Sequence, residues 1–97
     1  MIIKALAKRP DSKWMYALIP RTAESIREFI GGDFKIASIT PFMSIIYNDE
    51  EGLPYSCTVF GAELEGNILI VGNDENGITD IDLTLPEAFE IGTILDE

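Results

Sequence analysis

The chain has 97 residues, 46% of them apolar and 9% aromatic, with a formal net charge of −10 and no histidine. That length builds one hydrophobic core, and the composition is too apolar for a disordered chain, so a single domain over residues 1–97 is expected. The charge argues against nucleic-acid binding and against adsorption to anionic membranes, both of which need cations, and no apolar run nears the ~20 residues of a membrane helix.

Ile2 to Lys8 and Trp14 to Ile19 are short apolar runs joined by Arg9-Pro10-Asp11-Ser12-Lys13, which is turn chemistry, and together they predict a β-hairpin. The second run is apolar on both faces, Trp14, Tyr16 and Leu18 on one and Met15, Ala17 and Ile19 on the other. It is expected to be covered on both sides or to sit centrally in its sheet. Pro20-Arg21-Thr22 then opens a helix, with Thr22 as N-cap and Glu24 in the first turn. Ala23, Ile26, Phe29 and Ile30 form its apolar stripe, and Gly31-Gly32 ends it.

Phe34 to Thr40 and Met43 to Asn48 read as strands divided by Pro41, with Met43, Ile45 and Tyr47 facing inward. Asp49-Glu50-Glu51-Gly52 is a turn. Leu53 to Glu65 reads as irregular, with a short strand at Thr58 to Phe60. Ile68-Leu69-Ile70-Val71, bounded by Gly66-Asn67 and Gly72, is a buried strand. Asn73-Asp74-Glu75-Asn76-Gly77 turns the chain, and Ile78 to Leu83 returns antiparallel with Thr79, Ile81 and Leu83 inward and Asp80 and Asp82 in water. Thr84, followed by Pro86, Glu87, Ala88 and Phe89, caps a short C-terminal helix. The fold class expected is α+β, a mostly antiparallel sheet with one short helix packed on a face.

Charge is distributed unevenly along this fold. Residues 1–35 hold all seven cations and four carboxylates, a net +3, whereas residues 36–97 hold thirteen carboxylates and no cation, a net −13. A surface of that kind favours solubility and attracts basic partners. The lone cysteine, Cys57, can form no internal disulfide, and the opening Met-Ile-Ile-Lys-Ala-Leu is too short for a signal peptide, so the chain reads as cytoplasmic.

Several chemistries are disfavoured. Without histidine the commonest general base, the usual zinc ligand and the Ser-His and Cys-His nucleophile pairs are gone. Cys57 has only neutral or acidic sequence neighbours and reads as a buried inert thiol. No phosphate-binding or dinucleotide-binding glycine pattern occurs. Asn73 to Gly77 fails as a calcium loop, because aligning Gly77 to the invariant glycine puts Gly72 at the first ligand and Leu83 at the closing one. No catalytic residue, metal ligand or cofactor is expected, and the chain does not read as an enzyme.

The run Asn48-Asp49-Glu50-Glu51-Gly52-Leu53-Pro54-Tyr55-Ser56-Cys57-Thr58-Val59-Phe60-Gly61 is preceded by Phe29-Ile30-Gly31-Gly32 and followed by Gly66-Asn67-Ile68-Leu69-Ile70-Val71-Gly72. In order and spacing, over about residues 2–83, these segments resemble a short family of phages, plasmids and other mobile elements of gut bacteria, catalogued as domain of unknown function 3846. The family pattern is a hairpin, a helix ending in Gly-Gly, an Asn-x-Glu-Gly and Leu-Pro-x-Asn turn region, and an apolar strand closed by glycine. Ser56 departs from it, standing where the family carries Asn. The family has no established activity, so the resemblance implies a mobile-element setting rather than a reaction. Structural need also accounts for the motif: Gly52 for a left-handed turn residue, Pro54 for rigidity, Leu53 and Tyr55 for packing.

The leading expectation is a non-enzymatic mobile-element accessory protein whose acidic surface binds, and so blocks, a basic partner protein. Its candidate binding residues are Asp49, Glu50, Glu51, Asp74, Glu75, Asp80 and Asp82, with Asn48, Gly52, Leu53, Pro54, Tyr55 and Ser56 as the accompanying turn motif. One alternative is a small-molecule or nucleotide-binding oligomer, in which Trp14, Tyr16 and the Leu53–Ser56 segment wall the ligand and Arg9, Arg21 or Lys35 meets its charge. Another is a structural subunit of a phage or plasmid complex, self-associating through an apolar patch of Phe42, Phe60 or Phe89.

Overall fold

Central in the fold is the strand that carries the aliphatic run Ile68-Leu69-Ile70-Val71. The computed structural model describes residues 1–59, 62–75 and 77–81. In it β7 (Ile68–Asp74) has Ile68, Leu69, Ile70 and Val71 all buried, because layers cover both of its faces. On one side it pairs antiparallel with β4 (Met43–Asn48), which pairs in turn with β3 (Phe34–Thr40) at the sheet edge. On the other side lies β1 (Ile2–Lys8), paired with β2 (Met15–Pro20) at the opposite edge.

A short strand, β8 (Gly77–Thr79), shares the β1 side of β7. β1 covers Ile68 to Ile70 and β8 covers Gly72 to Asp74. The chain leaving β8 is sewn to β1: the Ile81 N–H donates to the Lys4 carbonyl (2.8 Å), and the Lys4 N–H donates to Asp80 Oδ1 (2.7 Å). The crossing is tight enough that a Cβ on Gly72 would stand 2.2 Å from the Asp80 carbonyl oxygen.

One face of the sheet carries the helix α1 (Ala23–Ile30), whose Ile26 and Ile30 pack on Ile3, Ala5, Ala7, Ile19, Ile46, Leu69 and Val71. Helix ends follow the sequence: the Thr22 side chain accepts the Ser25 N–H (3.1 Å), and Gly31 takes the left-handed conformation (φ 91°). The Gly31 and Gly32 N–H groups both return to the Arg27 carbonyl (2.7 and 3.1 Å). No helix among the described residues is long and apolar enough to cross a membrane.

The other face carries a second layer, a hairpin of β5 (Tyr55–Val59) and β6 (Ala62–Glu65). Its Cys57 and Leu64 point inward onto Leu6, Trp14, Ile45, Ile68, Ile70 and Ile81. This corrects the reading of 53–65 as irregular with one strand at Thr58 to Phe60: the strands are real but short, and glutamates alternate with Leu64, so no apolar run marks them.

The position of β2 is a second correction. It is neither central nor fully covered, since it forms an edge and leaves Leu18 72% and Met15 46% exposed. The covering layers bury Trp14 and Ile19 and reach Tyr16 and Ala17 in part, but leave Met15 and Leu18 in solvent. The turn expected at 73–77 is shorter, because β7 runs to Asp74 and β8 begins at Gly77. Met43, Ile45 and Tyr47 do face one layer, while Ser44 and Ile46 are buried on the other face. The expected C-terminal helix lies outside the described residues.

Candidate functional site

The topology divides the candidate acidic residues into two groups. Register places Tyr47 opposite Ile68, so Asp49, Glu50 and Glu51 lie beyond the start of β7, whereas Asp74 and Glu75 lie at its far end. Seven residues of extended strand separate the groups, about 23 Å at 3.3 Å per residue. Asp80 joins the far group and Asp82 falls outside the described residues. Asp80 is exposed, as expected, but its carboxylate is also spent on the Lys4 N–H. Asp49 pairs with Lys35 (3.0 Å), and this hydrogen bond and the Asp49 charge raise the Lys35 pKa.

Near the first group the fold adds two carboxylates absent from the sequence-based patch. Tyr55 pairs across to Glu65, and Thr58 to Glu63, on the side of the hairpin opposite the inward Cys57 and Leu64. Tyr55 is 53% exposed, and its hydroxyl shares a hydrogen bond with Thr58 Oγ1 (2.7 Å). An exposed tyrosine thus shares the outer face of the hairpin with Glu63 and Glu65. The alternation Ala62-Glu63-Leu64-Glu65 was the signal for these outward glutamates.

Most of the turn motif serves as a clasp. Buried Asn48 donates through Nδ2 to the Ile30 carbonyl (3.2 Å) and accepts the Glu50 N–H at Oδ1 (2.8 Å). The Asp49 N–H donates to the Asp33 carbonyl (3.0 Å), and the Gly66 N–H to the Pro54 carbonyl (2.9 Å). Gly52 has φ 82°, where a side chain would strain the backbone. Leu53 closes over Gly66, its Cδ1 lying 2.9 Å from where a Cβ would stand. These contacts dock the turn onto the end of α1.

Ser56 does something different. It sits at the register shift between the Tyr55 and Cys57 pairs, so it bulges from the β5–β6 ladder. Its carbonyl accepts a hydrogen bond from Lys8 Nζ (2.9 Å), a buried contact, while Nζ also donates to the Arg9 carbonyl (2.9 Å) at a part-buried position. The β1–β2 register ends at Ala7 opposite Met15, and Lys8 and Trp14 are the next residues along each segment. Both side chains share the hairpin face with Leu6 and Tyr16. Lys8 is 7%, Trp14 7% and Ser56 5% exposed, and among the described residues neither Trp14 Nε1 nor Ser56 Oγ has a hydrogen-bond partner.

The chain matches no family model, no curated protein and no solved structure.

The cations offered to a ligand from sequence do not converge. Arg9 stacks over the Phe29 ring (5.3 Å) at the end of α1, and Lys35 is held by Asp49. Arg21 stands beside the β8 turn, its guanidinium 3.2 Å from where a Cβ on Gly77 would lie. Lys8 was missed because it ends an apolar run and looks like a solvated strand end. Of the aromatic residues offered to self-association, Phe42 is 75% exposed; Phe60 and Phe89 lie outside the described residues. A shallow apolar groove of about 320 Å³ runs between β3–β4 and β6, lined by Ala37, Ile39, Ile45, Tyr47 and Leu64 among others.

Proposed function

We propose that the chain is a non-enzymatic accessory protein of a bacterial mobile element, working in the cytoplasm, that binds and blocks a basic partner protein. The observation that carries this reading is the cation-free charge of everything after Lys35. The fold supports it by setting Glu63 and Glu65 on the same outer hairpin face as exposed Tyr55. An aromatic anchor rimmed by charge suits a protein partner, the ring supplying buried area and the carboxylates supplying steering and register. The setting rests on the resemblance of the Asn48–Ser56 and Gly66–Gly72 segments to mobile-element proteins.

The test is a tagged pull-down from bacterial host lysate at low and high salt, with wild type beside two neutralised variants. One carries E50Q, E51Q, E63Q and E65Q; the other carries D74N and E75Q. A basic protein captured by wild type, released by salt and lost only from the first variant is the expected result. Equal capture by all three proteins would remove the acidic hairpin end from any role.

A further inference from the structure

We propose that the buried cluster of Lys8, Trp14 and Ser56 is a binding site for a small oxyanion head group, a carboxylate or a phosphate. The inference is independent of the acidic surface and uses the opposite charge.

Lys8 meets Ser56 through the Nζ–carbonyl bond, and Lys8 and Trp14 each stand one residue past the last β1–β2 pair, Ala7 with Met15. Were the antiparallel pairing continued by one residue, their Cβ atoms would stand about 5 Å apart. The Lys8 Nζ–Ser56 carbonyl bond of 2.9 Å sets the backbone of Ser56 beside the ammonium. The lysine ammonium has three donors and gives two of them to carbonyls, at Ser56 and Arg9. Among the described residues no carboxylate pairs with Lys8. The indole N–H and the serine hydroxyl are both buried without partners, a cost that folded proteins rarely leave standing.

A cation, an indole N–H and a hydroxyl are what an oxyanion needs: one charge to oppose its own and two directed donors for its oxygens. A second cation would gain nothing here, since the indole N–H is a donor only and the lysine already repels it. Burying Lys8 with no carboxylate paired to it among the described residues is costly, and an anion offsets that cost.

Approach is favoured as well. The Lys8–Arg9 contact is only part-buried and lies at the start of the β1–β2 turn. That turn carries Arg9 and Lys13 against Asp11, in the cationic part of an otherwise acidic chain. The field at its mouth therefore attracts an anion although the whole protein repels one.

The chain has one tryptophan, so the indole N–H of Trp14 is a single, unambiguous signal in a ¹⁵N-correlated NMR spectrum. Wild type is titrated with sodium acetate, with sodium phosphate and with sodium chloride at matched ionic strength. The expected result is a saturable shift of that signal with acetate, phosphate or both, and none with chloride. A response to acetate alone assigns a carboxylate ligand, and a response to phosphate alone a phosphate-bearing one. S56A keeps the fold and weakens binding about tenfold, the worth of one hydrogen bond to a charged group. K8M abolishes binding, with circular dichroism confirming that the variant is folded; if K8M fails to fold, S56A carries the test. An indole signal that follows only ionic strength, or that shows contact with water and no response to either oxyanion, overturns the proposal. Pull-down by S56A is expected to equal wild type, so failure here leaves the acidic-surface reading intact.

Discussion

Asn48 and Asn67, which lie at the end of β4 and just before β7, take successive carbonyls of the last helical turn. Asn48 Nδ2 donates to Ile30 and Asn67 Nδ2 to Phe29, at 3.2 and 2.7 Å. Helix ends leave carbonyls without partners, and here two strands from the middle of the sheet satisfy them. An eight-residue helix has little stability of its own; these bonds join it to the sheet.

Asn48→Ala is therefore expected to cost about 2 kcal/mol, because it also frees the Glu50 N–H, and Asn67→Ala about 1 kcal/mol. Urea denaturation of both single variants and the double variant measures this. The two share one helical turn, so their effects should depart from additivity. Strict additivity would mean that the helix end is held by something else.

Two glycines separate close approach from backbone conformation. Gly72→Ala drives a methyl into the Asp80 carbonyl, 2.2 Å away, and should destabilise by roughly 3 kcal/mol, since neither β7 nor the Asp80 segment can move freely. Gly31→Ala meets nothing within 4 Å but must hold φ near 91°, costing about 1 kcal/mol. Thermal unfolding of the pair should rank Gly72→Ala clearly lower in Tm; the reverse order would contradict the crossing geometry.

Lys35 and Asp49 make a pH prediction with a definite sign. The Lys35 pKa is raised above its ordinary 10.5 by the hydrogen bond to Asp49 and by its charge. A raised folded-state value means the contribution to stability is full below pH 10.5 and is lost as pH climbs through the folded-state value. NMR titration of the Lys35 side chain should show the upward displacement, and Asp49→Asn should return it to the ordinary range. Both side chains are about half exposed, so the change in overall stability should be small.

Cys57 reports on the hairpin layer. It is fully buried between the hairpin and the sheet, so a thiol reagent reaches it only when that layer opens. Labelling in the native state should run at least about a hundredfold slower than in the urea-unfolded chain. Comparable rates in the two states would show that β5–β6 does not cover the sheet.

Local chemistry wrote much of this fold. Thr22, the stripe through Ile26 and Ile30, and Gly31 set the helix and both its ends, because capping and amphipathic period act over a few residues. The unbroken apolar run Ile68 to Val71 marked a buried strand for the same reason. The β5–β6 hairpin was hidden, since its inward residues are few and its glutamates make it look like loop.

Where the acidic turns lie is a matter of strand order. Only the pairing of β4 with β7 sends Asp49–Glu51 to one end and Asp74–Glu75 to the other, and pairing between distant segments leaves no local mark in sequence. The Lys8–Trp14–Ser56 cluster has the same origin. Its three members belong to a strand end, a turn flank and a bulge, and each looks ordinary alone. They become a group of buried donors only when the hairpin closes over the sheet, because burial is a property of the packed layers and not of any residue's neighbours along the chain.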